Sequence, residues 1–303
     1  MDKVNLGVDF AGVKMKNPIT VASGTFGSGM EYSEYTDLNL LGAVTTKGVS
    51  RVPWEGNPTP RVTETYGGML NAIGLQNPGT DIFKERDIPF LQQFDTNIIV
   101  NVCGHSKEEY LEAVEALNDE PVDMFEINIS CPNVKEGGIT FGTVPEKIFE
   151  VTESIKKISK KPIIMKLTPN VTDIKETAKA AEAGGADALS LINTLTGMKI
   201  DVDRRKFALA NKTGGLSGPA IMPVAVRMVY EVSHTVNIPV LGMGGVRNYR
   251  DALEFIMAGA TMVAVGTYNF IKQDATCDIV KGLEEYLIKN NISDINELIG
   301  CVD

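Results

Sequence analysis

The sequence predicts an α/β fold, namely a (β/α)8 TIM barrel with an N-terminal β-hairpin and long loops over its C-terminal face. The main observation is that eight short apolar runs recur along the chain, each ending in polar or glycine-rich residues. Segments with helical signals separate most of these runs, as in a parallel sheet with crossover helices. The 303 residues contain no linker that would divide them, so we expect a single domain over residues 1–303. An open doubly wound sheet is the alternative, but the glycine fingerprint expected after its first strand is absent.

Each predicted element follows from its local sequence. Residues 4–18 alternate in polarity around Ala11-Gly12, which predicts the hairpin. Ser106 gives a capping-box-like helix start, and Pro145 marks another. The predicted barrel strands are 19–22, 43–47, 98–102, 124–129, 163–167, 188–193, 239–242 and 262–266. The predicted helices are 106–118, 145–158, 174–183, 219–236, 249–258 and 279–289.

Three connections are longer than the usual few residues: 48–80, 132–144 and 194–217. All three follow predicted strands, so they belong to the C-terminal face, where barrel enzymes build their active sites. The glycine-rich stretch 56–79 is predicted to cover the barrel mouth.

Composition argues against several classes of function. A formal net charge of −10 disfavours binding to nucleic acid or to an anionic membrane. No apolar stretch approaches the roughly 20 residues that span a bilayer, and the first residues lack the apolar core of a signal peptide. We therefore expect a cytoplasmic protein. The four cysteines form no CxxC pair or local cluster, so we expect no metal site and no iron–sulfur centre in this chain.

The ends of the predicted strands carry an unusual set of polar side chains. Each follows an apolar run that belongs in a barrel wall, where an unpaired lysine would be costly. Together they indicate a polar ligand with anionic and hydrogen-bonding edges. The residues are Lys47, Asn101, Asn128, Lys166 and Asn193.

The last two predicted strands end in glycine turns instead. Residues 242–245 read Gly-Met-Gly-Gly, and Gly266-Thr267 follows the final strand. The loops after these two strands form the usual phosphate site of barrel enzymes. The paired turns therefore predict phosphate binding.

Cys131 is the candidate acid–base residue. It follows a strand, precedes Pro132 and lies between Asn128 and Asn133. A thiol with an ordinary pKa of about 8.5 can act as a base once a closed site favours the thiolate. Neither histidine is placed as the partner of a nucleophile, which favours proton abstraction over a cysteine-protease-type dyad. The other thiols, Cys103, Cys277 and Cys301, are interpreted as buried and structural.

These residues leave more than one reaction open. In flavin-dependent redox chemistry, Lys166 would face the electron-rich edge of the flavin and Cys131 would move a proton. In Schiff-base chemistry, Lys47 or Lys166 would attack a carbonyl, as in barrel aldolases. A scaffold subunit without catalytic function is the third possibility.

The chain resembles the dihydroorotate dehydrogenases, FMN enzymes of pyrimidine synthesis, along nearly its whole length. The motifs that carry the resemblance are specific in combination. They are Ala22-Ser23-Gly24, Thr46-Lys47-Gly48, Asn71 to Leu75, Asn128-Ile129-Ser130-Cys131-Pro132-Asn133, Lys166-Leu167, Ile192-Asn193-Thr194, Gly242 to Gly245 and Gly266-Thr267.

The resemblance implies roles for individual residues. Cys131 would remove the C5 proton of dihydroorotate while hydride passes from C6 to FMN. FMN would be bound by Ser23, Lys47, Gly48, Asn101, Asn128, Lys166, Ile192, Gly218, Gly244, Gly245, Gly266 and Thr267. Dihydroorotate would be bound by Lys47, Asn71, Ala72, Ile73, Gly74, Leu75, Asn128, Asn133, Asn193 and Thr194.

The resemblance also separates subclasses. Membrane-bound members use a serine base, whereas Cys131 stands at that position here. The run after the cysteine is most like the NAD-linked type B catalytic subunit. That type forms a homodimer and pairs with an FAD/[2Fe-2S] electron-transfer subunit as a heterotetramer. The alternatives are a fumarate-linked dihydroorotate dehydrogenase and another FMN-barrel dihydropyrimidine or dihydrouridine oxidoreductase. The acidic net charge disfavours a tRNA substrate.

Overall fold

The computed structural model describes residues 4–129 and 141–302. Eight parallel strands form the central sheet, in the spatial order β1-β8-β7-β6-β5-β4-β3-β2. They are β1 (Ile19–Val21), β2 (Ala43–Thr45), β3 (Asn97–Val102), β4 (Met124–Asn128), β5 (Ile163–Lys166), β6 (Ala188–Leu191), β7 (Val240–Met243) and β8 (Met262–Val265). This architecture confirms the predicted barrel.

The barrel closes where β1 meets β2. The Gly42 amide donates to the Ile19 carbonyl over 3.0 Å, and the hydroxyls of Thr20 and Thr45 lie 3.0 Å apart. A contact between the first and last strands of the sheet is what distinguishes a barrel from the open alternative.

The helices cover the outside of the barrel and bury their apolar faces on it. Because both faces of the sheet are covered, its strands are almost continuously apolar. Ser106 caps the first long helix by accepting from the Glu109 amide over 3.3 Å, as its sequence predicted. The long helices are Lys107–Leu117, Pro145–Ile158, Ile174–Ala183, Met222–Ser233, Tyr249–Met257 and Ala275–Asn290.

Two predicted helices have different bounds in the structure. The helix predicted from residue 219 begins at Met222, because Pro219–Ile221 forms a 3₁₀ turn first. The helix predicted from residue 279 begins at Ala275, and three residues of its added turn, Ala275 to Cys277, are buried.

One helical segment was not predicted. Residues 79–91 form a continuous helical stretch that contains a π-turn at Phe83–Asp87. Pro89 lies within it and would normally mark a helix break. Here it occupies the first turn of Ile88–Leu91, directly after the π-turn, where its missing N–H costs little.

A second, four-stranded antiparallel sheet lies over the C-terminal face. It combines the long connections that follow β2 and β6, and the prediction had treated both as loops. We call it the mouth sheet. Its strands, in spatial order, are Leu195–Met198, Thr213–Ser217, Gly68–Asn71 and Val62–Thr65.

The predicted N-terminal hairpin is confirmed. Val8–Phe10 pairs antiparallel with Val13–Met15. Ala11 and Gly12 form the turn with φ of 53° and 86°, the positive values that a tight hairpin needs. Among residues 4–129 and 141–302, no helix is both long and apolar enough to cross a membrane.

Candidate active site

A buried ion pair lies at the C-terminal end of the barrel. The Lys166 ammonium, at the end of β5, is 3.3 Å from Oε2 of Glu126 on β4. It also lies 3.4 Å from the Ser23 hydroxyl, just after β1. All three side chains are buried. These contacts therefore join β4, β5 and the loop after β1 inside the barrel mouth.

Strand register explains why these side chains meet. Asn101 of β3 is in register with Glu126, and Asn128 of β4 is in register with Lys166. Side chains two residues apart on a strand face the same side. Glu126 and Asn128 therefore both point into the barrel.

A chain of amides continues from the ion pair. Oε2 of Glu126 also accepts a hydrogen bond from the Asn101 amide. Asn128 donates to the Asn101 oxygen over 3.5 Å, and Asn193 donates to the Asn128 oxygen over 3.4 Å. The connected side chains link three barrel strands, β3, β4 and β5, with the loops after β1 and β6. We call Ser23, Asn101, Glu126, Asn128, Lys166 and Asn193 the polar network.

Lys47 adds a second cation at the end of β2. It is half-buried, and it forms no hydrogen bond or ion pair with its side chain among the described residues. Burial lowers the pKa of Lys47; the Cys103 thiol opposes this shift and the Lys166 ammonium adds to it. An anion bound here would relieve the desolvation of Lys47.

Gly48 brings the backbone close to the polar network. A Cβ at Gly48 would lie 2.9 Å from the Asn101 oxygen and 3.5 Å from Leu75. No larger side chain fits there without displacing the amide. Leu75 itself has a φ of 51°, which is unusual for a residue with a side chain.

The predicted substrate residues at 71–75 reach those at 193–194 through the mouth sheet. Asn71 donates to the Gly215 carbonyl over 3.3 Å. A Cβ at Gly215 would lie only 2.0 Å from the Thr194 hydroxyl, so the Thr194 side chain packs directly on the Gly215 backbone. The Thr194 amide in turn donates to the Asn193 side chain over 2.7 Å. Ala72, Ile73 and Gly74 contact the backbone or side chain of Asn57.

Glycine turns occupy the other side of the mouth. Gly244, Gly245 and Gly218 have φ of 133°, 84° and 107°, values that a residue with a Cβ rarely adopts. A Cβ at Gly245 would lie 2.9 Å from the Gly218 carbonyl oxygen, so these turns touch. Thr267 donates to the Ser217 hydroxyl over 2.7 Å and ties the turn after β8 to the mouth sheet.

The amides of these turns are available to a ligand. The N–H groups of Gly218, Gly244, Gly245 and Gly266 donate to no acceptor within the described ranges. We call these four residues with Thr267 the glycine turns. Ile192 lies between them and the polar network: it is buried, its cis peptide bond joins it to Leu191, and its amide donates to the Met243 carbonyl over 3.1 Å.

Every predicted site residue that the structure describes therefore lies at or beside the C-terminal mouth. Two predicted residues, Cys131 and Asn133, lie outside the described residues, as do Gly137 and Gly138 of the loop that follows them.

Three residues with evident roles were not predicted. Glu126 interrupts an apolar strand with an acid, a signal comparable to that of Asn128. The Asn170 side chain holds the backbone on both sides of Leu195: it donates to the Thr194 carbonyl over 3.0 Å and accepts from the Thr196 amide over 2.9 Å. Asn170 and Ser217 carry no local signal, because their partners are remote in sequence.

The cysteine prediction is correct in part. Cys103 and Cys277 are buried, but Cys301 is exposed. No group of three or more histidine, cysteine or acidic residues is arranged to bind a metal in the part of the chain that the structure describes.

This arrangement suits a ligand with two different ends. Buried amides and an ammonium match a ring that both donates and accepts hydrogen bonds. Unpaired N–H groups on glycine turns match a phosphate. The residues present thus fit flavin mononucleotide, which has both features.

Comparison with known proteins identifies the class. The family model for dihydroorotate dehydrogenase matches residues 5–287. The chain is 68% identical over 299 residues to the dihydroorotate dehydrogenase B (NAD(+)) catalytic subunit of Lachnoclostridium phytofermentans, covering 99% of this chain and 100% of that protein. It is 60% identical over 302 residues to the protein of that name from Alkaliphilus metalliredigens, covering 100% of both.

A solved structure supports the fold alone. The crystal structure of DHODH in complex with ferulenol from Eimeria tenella has a TM-score of 0.82 at 20% identity, covering 98% of this chain and 88% of that one.

Fold and sequence together define a barrel oxidoreductase. More particularly, the chain belongs to the dihydroorotate dehydrogenase family, as its motifs indicated. This family is FMN-dependent and oxidises dihydroorotate in pyrimidine biosynthesis.

Proposed function

We propose that this chain is the FMN-binding catalytic subunit of an NAD-linked dihydroorotate dehydrogenase, a single domain over residues 1–303 that works in the cytoplasm. The observation that carries the proposal is that a buried polar network and a set of glycine turns face one barrel mouth. The names of the relatives, which specify NAD(+) and a catalytic subunit, support the subclass.

FMN binds across both halves of the mouth in this proposal. The glycine turns donate to its phosphate, since their amides have no acceptor within the described ranges. Lys166 and the amides of the polar network bind its ring. The proposed FMN ligands are Ser23, Lys47, Gly48, Asn101, Asn128, Lys166, Ile192, Gly218, Gly244, Gly245, Gly266 and Thr267.

Dihydroorotate binds on the side of Lys47. The half-buried ammonium has no partner of its own and suits the substrate carboxylate. The amides suit the ring, which offers both donors and acceptors. The proposed substrate ligands are Lys47, Asn71, Ala72, Ile73, Gly74, Leu75, Asn128, Asn133, Asn193 and Thr194.

Cys131 is the proposed base. Its thiolate takes the C5 proton of dihydroorotate, and a hydride leaves C6, so that a carbon–carbon double bond forms and orotate is released. Bound FMN supplies the two-electron acceptor for that hydride. The polar network orients the ring for proton removal.

Electrons then leave through a partner in this proposal. An FAD/[2Fe-2S] subunit passes the two electrons to NAD⁺, which becomes NADH as one proton is released. The catalytic chain forms a homodimer and binds that subunit as a heterotetramer. The word subunit in the relatives' names supports such a partner.

The test is to purify the chain alone and co-expressed with its candidate electron-transfer subunit. We expect a yellow protein from which denaturation releases FMN. We also expect NAD⁺ reduction by dihydroorotate only in the co-expressed sample, and no gain with fumarate. A colourless chain that does not take up added FMN would refute the proposal, and fumarate-dependent turnover by the chain alone would assign it to the fumarate-linked type.

The same preparation distinguishes Schiff-base chemistry. Lys166 is held in an ion pair with Glu126, which makes it a poor nucleophile. We therefore expect borohydride to trap no adduct at Lys166 or Lys47. A substrate adduct found by mass spectrometry would favour the lyase alternative.

A further inference from the structure

Glu126 belongs to the polar network, but the proposed function names it neither as a ligand of FMN or dihydroorotate nor as the base. Its side chain is completely buried in the wall of the barrel. One carboxylate oxygen, Oε2, accepts from both the Asn101 amide and the Lys166 ammonium. The other, Oε1, has no hydrogen-bond partner among the described residues.

Stability alone does not explain this arrangement. A buried ion pair gains little over well-packed apolar side chains, because removing two charges from water costs about as much as their attraction returns. An oxygen without a partner makes the carboxylate costlier still. Glu126 is therefore better explained by what it does to Lys166.

The Glu126–Lys166 pair is placed where its charge acts on the barrel mouth. Lys166 sits between Glu126 and Ser23, at the inner end of the polar network. Lys47 is a second cation at the mouth; the Lys166 charge acts on it, and it is only half-buried. With Glu126 present, the Glu126–Lys166 pair has no net charge, although it places an ammonium at the mouth.

We propose that Glu126 is a positioning residue that sets the reduction potential of the bound flavin, by holding Lys166 in place and balancing its charge. This inference rests on the proposed function, since it assumes FMN beside Lys166. FMN gains negative charge on reduction, so each unit of positive charge nearby favours the reduced form, and each negative unit opposes it.

The test measures the two-electron midpoint potential of bound FMN in four proteins. Glu126→Gln keeps the shape but leaves the pair with a positive charge, so the potential rises. Lys166→Met leaves a negative charge, so the potential falls. The double variant Glu126→Gln/Lys166→Met is neutral again and returns close to the wild-type value. Each single shift should change the ratio of reduced to oxidised flavin on the order of tenfold at fixed potential.

A matched control comes from the surface. Glu150→Gln breaks an exposed ion pair with Lys147, whose atoms are 2.9 Å apart, and should leave the potential unchanged. Glu126→Asp keeps the charge in a shorter side chain, so it should retain a potential near wild type even if it binds FMN less tightly.

Charge balance predicts that the two single variants shift the midpoint potential in opposite directions. Variants that merely loosened the site would not produce shifts of opposite sign. Shifts of the same sign in both single variants, or a double variant that does not return, would overturn the inference. If Glu126→Gln does not fold, the double variant Glu126→Asp/Lys166→Met still tests the inference. It keeps the negative charge at position 126, so its midpoint potential should match that of Lys166→Met. Wild-type chain that binds no FMN would instead refute the proposed function.

Discussion

The two halves of the barrel mouth are built in different ways. Around β3 to β6 the surface consists of side chains, joined by hydrogen bonds from Ser23 to Asn193. After β7 and β8 it consists of glycine backbone, with positive φ at Gly244 and Gly245. The first half can distinguish ligands by their pattern of donors and acceptors, whereas the second offers N–H groups to any ligand that accepts several hydrogen bonds.

This difference separates chemistry from anchoring. Side chains can carry charge, exchange protons and orient a reacting atom. Backbone amides can only bind, but they do so without the entropy cost of fixing long side chains. We therefore expect substitutions in the side-chain half to change reaction rates, and substitutions in the glycine half to change cofactor retention.

The largest effect is expected at Cys131, which follows the side-chain half. Cys131→Ala should slow flavin reduction by dihydroorotate by about 10²- to 10⁴-fold, the usual contribution of a general base. FMN content should not change, because the glycine turns are intact. Anaerobic stopped-flow absorbance measures both, and Cys131→Ser should keep slow activity that grows with pH. Near-normal reduction in Cys131→Ala would remove Cys131 from the role of base.

The next effect concerns stability. Lys166→Met leaves Glu126 buried without its counter-ion, which should lower the free energy of unfolding by about 3–5 kcal/mol. Urea denaturation measures this change. Adding Glu126→Gln should recover much of the loss. As a control, Lys157→Met breaks an exposed pair with Glu153, 2.9 Å long, and should cost no more than about 1 kcal/mol. Equal losses in the two lysine variants would contradict this account of the ion pair.

The glycine half is tested by Gly245→Ala. Its φ of 84° is strained for alanine, and the new Cβ would lie 2.8 Å from that of Met222. We expect the free energy of unfolding to fall by about 1–3 kcal/mol and FMN to be retained less well. The rate of flavin reduction should be preserved in the fraction of protein that still binds FMN. Gly12→Ala is the control, because Gly12 has a φ of 86° with no atom near its Cβ position. If both variants retain FMN equally well, the turn at Gly245 does not hold the cofactor.

The sequence predicted the barrel because each barrel strand and each of the six long helices carries its own local pattern. It missed the mouth sheet because that sheet pairs strands that are far apart in sequence, such as Gly68–Asn71 with Thr213–Ser217. Short glycine-containing strands have no clear alternation of their own. They form here because each finds its partner across the barrel mouth.

The candidate site was also predictable only where its residues carry a local signal in the sequence. Polar residues at strand ends and glycines in turns stand out against apolar runs, so most of the polar network could be found. Glu126 was missed because strand position alone does not say which acid pairs with Lys166. In the fold, Asn128 is in register with Lys166, and Glu126 reaches the ammonium diagonally from two residues earlier on β4. Asn170 and Ser217 act through partners that only the fold brings near.

The smallest effect expected is a pH dependence at Lys47, where the side-chain half meets the substrate. Burial and the nearby Lys166 lower the pKa of Lys47, whereas the Cys103 thiol opposes that shift. A bound carboxylate raises this pKa again, so substrate binding favours the protonated amine. The KM for dihydroorotate should therefore increase with pH once the amine begins to lose its proton, by up to about tenfold per pH unit.

The lowered pKa of Lys47 has the opposite pH dependence for folding: without substrate, stability increases with pH, whereas substrate binding weakens. Between the lowered pKa of Lys47 and its ordinary value near 10.4, the unfolded chain holds more protons than the folded one. Stability therefore increases with pH across that interval, and Lys47→Met should remove this increase. Lys47→Arg keeps its charge throughout, so its KM should be flat over the pH range in which the wild-type KM rises. An identical KM profile in wild type and Lys47→Arg would show that the pH dependence arises elsewhere, and Lys47 would then bind substrate without titrating.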